Sequence, residues 1–402
     1  MRESTFDDQS RLNIKFGIRH VKISESMGRK GVQVYEYIEI VLINKNNNRE
    51  VPHPITSFIY DKWRFTSVNN QLARAKQLTP FLNYVFIECS SKYRLKSISD
   101  LKKEHGVHFL EYKRKQGCSL STIDSYDSTL RLFYKYLSRN GVLNHFNKDD
   151  FKDEVDKSFF KQDMASLPAP NLEDDKARRL EEHHIFPFIY TAIRVADDIA
   201  LGIYMSIFGG LRGSEVMSIK RSEIKKLGVY GEHGLIVELK TDTKYAKGSG
   251  NRVKSPGVQP IDAVKKLLSE LFKSHLDRYP EPMDGSNSLF VNARGTAMQY
   301  QTYRQKFNKV KDAFIKTLIN SDNPDDKLYA LNYKSLKWST HIGRGTYSNN
   351  IAEQSNHLLD IMRARRDKSP QSVLPYLMHT QKSIKQLNDD IEGMFEGEVN
   401  SE

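Results

Sequence analysis

Four short strings in this chain hold side chains that could act on a single phosphate. The first, Gly209-Gly-Leu-Arg-Gly-Ser-Glu215-Val, follows an apolar stretch and opens a helix. Ser214 can cap that helix, and Glu215 sits near its positive end. An arginine after a Gly-Gly-Leu bend stands where backbone approaches a ligand closely; the same string also fits a turn with a solvated Arg212. The second is His341-Ile-Gly-Arg344. Helical residues three apart share a face, so this imidazole and guanidinium could converge on one anion or remain an ordinary surface pair. The third is Lys240, closing the apolar run Leu235-Ile-Val-Glu-Leu-Lys-Thr241 where it enters a loop; it is otherwise one of many solvated lysines. The fourth is Tyr376 in Ser372-Val-Leu-Pro-Tyr-Leu377, whose apolar neighbours alone describe a core aromatic.

Two Arg, a Lys and a His around one Tyr hydroxyl suit phosphoryl transfer from a diester. Phenol, with a pKa of about 10, is a weak nucleophile and needs a base or strong electrostatic help. Paired guanidiniums clamp non-bridging oxygens as charge develops in the transition state. A lysine can protonate the departing 5′ oxygen, and a histidine can assist proton transfer. The covalent phosphotyrosine keeps the bond energy, so rejoining needs no ATP, and no metal or other cofactor is expected. The chain has no Walker-type glycine loop.

These strings resemble the motifs of the tyrosine recombinases, the phage-integrase-type site-specific recombinases. The resemblance puts Arg212 on the family's first catalytic arginine and Glu215 on the accompanying acidic residue. His341-x-x-Arg344 is similar to the His-x-x-Arg motif, and Tyr376 lies 32 residues beyond Arg344, where the family's nucleophile falls. Leu180-Glu-Glu182 resembles the usual opening of the catalytic domain. The likeness extends over roughly residues 65–385. Two departures stand out. Where the family usually has Leu-Gly-His, nine residues before the tyrosine, this chain has Arg365-Arg366-Asp367, so Asp367 or Lys368 would have to replace a second histidine. The loop after Leu239 is long, so the family's lysine falls on Lys240 by its strand-end position, with Lys247 and Lys254 as alternatives.

The elements that must carry these residues are legible in part. Leu12, Ile14, Phe16 and Ile18 alternate with polar residues, and Ile38, Ile40 and Leu42 do the same, so residues 1 to about 60 read as β-rich. Helical spacing begins near Ser67, a second helix is expected from Ser99, and Ile123, Tyr126, Leu130, Phe133 and Leu137 mark a third. Ser121 or Thr122 would cap it, and Asn140-Gly141 would stop it. Leu167-Pro-Ala-Pro170 with the acidic run after it is a stiff polar linker candidate. Leu235–Leu239 returning through Val258–Ile261 reads as a hairpin, and Ile384, Leu387, Ile391 and Phe395 read as a terminal amphipathic helix. The expected class is mainly α with small β elements. It comprises a β-rich N-terminal module (1–65), a helical, SAM-like core-binding domain (66–165), a linker (166–180), and a mixed α+β catalytic domain (181–402) whose tail helix starts near 380. By the resemblance, the module binds separate arm sites and the tail helix packs on a neighbouring protomer; a structural cap and packing within its own domain are the alternatives.

Charge points to the partner. Lys and Arg (62) exceed Asp and Glu (50), a net +12 in 402 residues, with a pI near 9.3. The terminal stretch from Leu377 to Glu402 carries two lysines against six acidic residues, so the first 376 residues hold +16. Such an excess fits a polyanion. Clusters such as Lys113-Arg114-Lys115 would touch phosphates, although a basic helix is commonly just a solvated face. Two cysteines, Cys89 and Cys118, exclude a disulfide scaffold and a Cys-based zinc module. The longest apolar stretch, Ile199–Leu211, is too short for a bilayer span, and the N-terminus lacks a signal-peptide core.

The expected protein is cytoplasmic and nucleoid-associated. It cuts and rejoins double-stranded DNA at specific sites through a 3′-phosphotyrosyl intermediate, as a tetramer on two duplexes, with accessory DNA-bending or directionality proteins as possible partners. Arg212 and Arg344 would clamp the phosphate, Lys240 serve as acid, His341 assist and Tyr376 attack. One competing class is a metal-dependent nuclease built on Glu238 and Lys240, with Glu232 or Asp198 as partner. The other is a non-catalytic DNA-binding relative, which the altered Arg366-Asp367 slot would favour.

Overall fold

The computed structural model describes residues 13–26, 32–146, 148–151, 159–164, 179–240, 253–355 and 357–370. They fall into two compact units divided between Glu173 and Asp174. Tyr376, Lys247, the Pro-rich linker candidate and the acidic tail lie outside the described residues.

In the first unit, alternating apolar residues build an antiparallel pair, β1 (Ile14–Ser26) and β2 (Val32–Asn44), in a register that puts Phe16 opposite Leu42 and Ile18 opposite Ile40. A short β3 (Glu50–Pro52) adds to β2. The β-rich reading extends too far, because Thr56–Trp63 is already helix (α1). Next comes α2 (Val68–Asn83), capped by Ser67, whose hydroxyl accepts from the Asn70 N–H. Side-chain amides of α2 complete the sheet: Asn83 bonds both the N–H and the C=O of Phe16, and Gln71 accepts from the Ile38 N–H. Buried backbone groups are thereby satisfied without a further strand.

The helix expected from Ser99 begins later, as α3 (Lys103–Lys115), behind a short 3-10 turn at Ile98–Asp100. The next helix, α4 (Leu120–Arg139), is capped by Ser119 rather than Ser121 or Thr122. It ends as expected. Gly141 takes φ +68, its N–H reaches Ser138 O, and the Val142 N–H reaches Leu137 O, a Schellman closure. Phe16, Ile38 and Ile40 of the sheet share one buried core with Phe81, Phe109, Phe133 and Tyr134 of the helices, so no break in packing falls at residue 65.

The second unit is built around α6 (Asp197–Phe208), in which every residue from Asp198 to Ile207 is buried. It packs against α5 (Ile185–Val195), α8 (Leu267–Arg278), α9 (Tyr300–Ile319) and α11 (His341–Gln354). The buried one of the two acidic residues in its first turn, Asp198, is paired with Lys306 of α9 at 2.5 Å, so its burial leaves no lone charge. The expected hairpin forms. Strands β5 (Leu235–Leu239) and β6 (Gly257–Ile261) are antiparallel, with Leu235 opposite Ile261, and β4 (Ile224–Lys226) adds a third strand. Two further helices, α10 (Pro324–Ser335) and α12 (Leu358–Arg365), flank α11 in sequence. No helix of the described residues is long and apolar enough to cross a membrane.

Candidate active site

Close packing creates the site. At Gly343 a Cβ would lie 2.8 Å from Ser206 Cβ, so only glycine lets α11 approach α6 at this point. The next residue, Arg344, is therefore carried to the end of α6, where the chain turns through Gly209 and Gly210. Gly210 takes φ +63, and its carbonyl accepts from Arg344 Nη1. A Cβ on Gly210 would stand 2.3 Å from the Tyr347 ring. Gly210→Ala is therefore expected to lose about 2–4 kcal/mol from left-handed strain and overpacking together. A denaturant midpoint equal to that of the unaltered protein would refute this.

Arg212 follows the bend and occupies the cap position of α7 (Gly213–Val216). Ser214, whose residue type suits a cap, lies inside the helix instead, and Glu215 reaches back to accept from the Arg212 backbone N–H at 3.1 Å. Glu215, whose side chain is fully buried, also accepts from Arg212 Nη1 at 3.0 Å and Arg366 Nη2 at 3.1 Å. A second carboxylate, Asp367, completes the cluster. Its Oδ1 accepts from Arg212 Nη2 at 2.6 Å and from Arg344 Nη2 at 2.9 Å, while its Oδ2 accepts from Arg365 Nε at 2.8 Å. Four guanidiniums thus surround two carboxylates, leaving net positive charge in a poorly solvated place.

The titration behaviour follows. Burial, then the charges of Arg212 and Arg365, push Arg344 down to about 10, still protonated at neutral pH. Burial pushes the Asp367 carboxyl up, but Arg344, Arg365 and Arg212 outweigh it and hold the group below the usual carboxylate range. His341 opens α11 at the surface. Desolvation of its ring, then the charges of Arg212, Arg344, Arg365 and Lys254, hold it below the usual histidine range. It is therefore neutral at pH 7 and able to accept a proton.

The structure separates the lysines. Lys240 lies one residue past β5, half-exposed and paired with Glu238 at 2.9 Å, and that hydrogen bond raises its pKa. Lys254, just before β6, is the lysine whose charge is felt at His341. The carboxylates of the nuclease reading are engaged separately: Glu238 with Lys240, Asp198 with Lys306, and Glu232 with the Tyr230 N–H. None belongs to the one group of three metal-ligand side chains found among the described residues, His183, His184 and Asp326. In that group buried His184 meets the Tyr333 hydroxyl through Nδ1 at 3.3 Å and faces Asp326 through Nε2 at 3.5 Å.

Two participants escaped sequence reasoning, which saw Arg365 and Arg366 only as a departure from Leu-Gly-His. Arg365 reaches Ser348 Oγ at 2.8 Å, tying α12 to α11. Arg366 takes the left-handed φ of +55, where glycine is the low-cost residue. Its side chain offsets that strain through Gln259 Oε1 at 2.6 Å, Ser255 O at 2.7 Å and Glu215. The available signal was the pair of arginines itself, since adjacent buried cations need carboxylates nearby.

Comparison with known proteins agrees with this architecture. No protein-family model and no curated protein matches the chain. Among solved structures, the Tn1549 transposon integrase in complex with a circular intermediate DNA aligns with TM-score 0.55 and 15% identity, over 84% of this chain and 99% of that one. The XerH site-specific recombinase bound to its difH substrate aligns with TM-score 0.51 and 16% identity, over 81% of this chain and 80% of that one. Both are tyrosine recombinases. An apolar α6 ending in a Gly-Gly bend, a central α11 bearing His-x-x-Arg, and a three-stranded sheet beside them make this a chain with the tyrosine-recombinase fold.

Proposed function

We propose that the protein is a site-specific DNA recombinase, an integrase, excisionase or transposase of a mobile element, that cuts and rejoins strands through a 3′-phosphotyrosyl intermediate. One observation carries the reading. Arg212 and Arg344 lie far apart in the chain yet direct Nη2 atoms at the same oxygen, at 2.6 and 2.9 Å. That geometry suits one non-bridging oxygen of a phosphodiester. Tyr376 Oη attacks phosphorus, the bond to the 5′ oxygen breaks, and the leaving oxygen takes a proton from a lysine of the β5–β6 hairpin. Lys254 is favoured over Lys240 for that step, because the bond to Glu238 makes Lys240 a poorer acid. His341, neutral, receives the tyrosine proton, and the 5′-hydroxyl reverses the sequence on rejoining.

Around this chemistry the first unit would contact DNA, with residues 1–65 on arm sites and 66–165 on the core site. Four protomers would act on two duplexes. The basic excess supports backbone contact that weakens with salt. The test is a covalent protein–DNA adduct on nicked duplexes cut from the DNA flanking the gene. Tyr376→Phe is expected to abolish the adduct while leaving mobility-shift binding intact; an adduct that persists in this variant ends the assignment. Asp367 in the histidine slot favours a second reading, a DNA-binding relative without catalysis. Unaltered protein that shifts the same DNA but never forms an adduct would establish it.

A further inference from the structure

Asp367 stands where the substrate should be. Both clamp arginines, Arg212 and Arg344, already spend a hydrogen bond on its Oδ1, and Arg365 holds its Oδ2. The Asp367 side chain is almost wholly buried. A carboxylate oxygen bridging two guanidiniums and a non-bridging phosphodiester oxygen bridging the same two present the same chemistry: one anionic oxygen meeting an N–H donor from each arginine. They cannot share the site, since two anions in contact repel strongly where little water screens them.

We propose that Asp367 is an internal stand-in for the scissile phosphate, which holds Arg212 and Arg344 in clamp geometry and must be displaced before either arginine engages DNA. This rests on the reading of Arg212 and Arg344 as the phosphate clamp. The local backbone supplies a way out. Asp367 follows the left-handed residue Arg366 at the end of α12, and its own N–H is held by Met362 O at 2.9 Å. Its neighbours Lys368 and Ser369 are exposed, so the carboxylate can swing toward solvent without dismantling a core. Arg366 and Glu215 keep their bond to each other when it does, so one side of the Arg212 guanidinium stays fixed. The consequence is a site that is preorganised yet self-occupied. Asp367 is a positioning residue whose charge opposes binding of an anion.

The probe is inorganic phosphate, titrated calorimetrically into the full chain, with chloride at equal ionic strength as the reference. Asp367→Asn keeps an acceptor oxygen for the arginines and removes the competing charge. It is expected to bind phosphate at least about tenfold more tightly than the unaltered protein, since a contact between like charges has gone. A residue that served merely as scaffold would give the opposite sign, because losing it loosens the arginines. Equal or weaker phosphate binding by Asp367→Asn, with binding still abolished by Arg212→Gln, overturns the stand-in role while leaving the clamp reading intact. Phosphate binding indifferent to Arg212→Gln in either background overturns the clamp reading itself. Hydrogen exchange of the unaltered protein covers the case in which the Asn variant does not fold. Phosphate should speed exchange of the Asp367 amide relative to chloride, and an unchanged rate sinks the proposal.

Discussion

Arg344→Lys will slow covalent adduct formation by about 10²–10³-fold while leaving overall DNA affinity nearly unchanged. The reason is geometric, because the positive charge survives the substitution. Arg344 uses Nη1 on the Gly210 carbonyl, and Nη2 on both the Arg365 carbonyl at 2.6 Å and Asp367 at 2.9 Å. A planar fork can meet the bend after α6 and the end of α12 at once; an ammonium, a single point on a flexible stem, cannot. Whichever backbone carbonyl the lysine abandons, that of Gly210 or of Arg365, is left buried and unsatisfied, at about 1–3 kcal/mol. In the proposed mechanism the clamp would also lose the donor aimed at the oxygen where charge develops. Single-turnover adduct kinetics on a nicked duplex, beside mobility shifts at matched salt, read the two quantities separately. A lysine variant that forms adduct within a small factor of the unaltered rate would mean that Arg344 supplies charge alone.

Glu215→Ala is the second large effect, and it falls on stability. The Glu215 carboxylate is wholly buried and serves three donors: the Arg212 N–H, Arg212 Nη1 and Arg366 Nη2. Removing it leaves Arg212 with Asp367 alone and Arg366 with the neutral acceptors of Gln259 and Ser255, in a place with little water, a loss of about 3–5 kcal/mol. For a unit of this size each kcal/mol moves the melting midpoint by about 2–4 °C, so the variant should melt roughly 6–20 °C lower. Glu215→Gln retains an acceptor oxygen and should lose less, and that ordering separates a structural carboxylate from a catalytic one. Calorimetry of the two variants checks it. An alanine variant that melts with the unaltered protein would show that Glu215 carries none of this burden.

What could be read from the chain differs between elements for physical reasons. The hairpin of β5 and β6 is legible because the apolar alternation of Leu235, Val237 and Leu239 has the period of a pleated strand with one buried face; its partner strand follows the same period but buries the polar Gln259 beside Ile261. The stop of α4 was legible because few residues besides glycine take the left-handed turn at Gly141 at low cost. Its start lies two or three residues before the expected Ser121 or Thr122, since Ser119, Ser121 and Thr122 are all competent caps and only the packed helix selects among them. The extent of the β-rich segment was overestimated because Thr56–Trp63 is short, β-branched and aromatic, and is helical through packing on the core rather than by propensity.

The sequence by itself determined the ingredients: a basic chain, a Gly-Gly-Leu-Arg bend after an apolar helix, a His-x-x-Arg pair and a tyrosine at a set interval. Those signals are local, carried by residue type and spacing within a few turns. Only the tertiary structure decided which charges meet. Arg212 and Asp367 are 155 positions apart, and Arg366 and Glu215 are 151 apart, so no periodicity links them. Their pairing is a consequence of burial. Four arginines brought together by packing helices need carboxylates within hydrogen-bond reach, and Glu215 and Asp367 are the ones the fold delivers. Arg365-Arg366-Asp367, a mere departure from a motif on the line of the chain, becomes in three dimensions the segment that binds Arg212, Arg344 and Glu215 together.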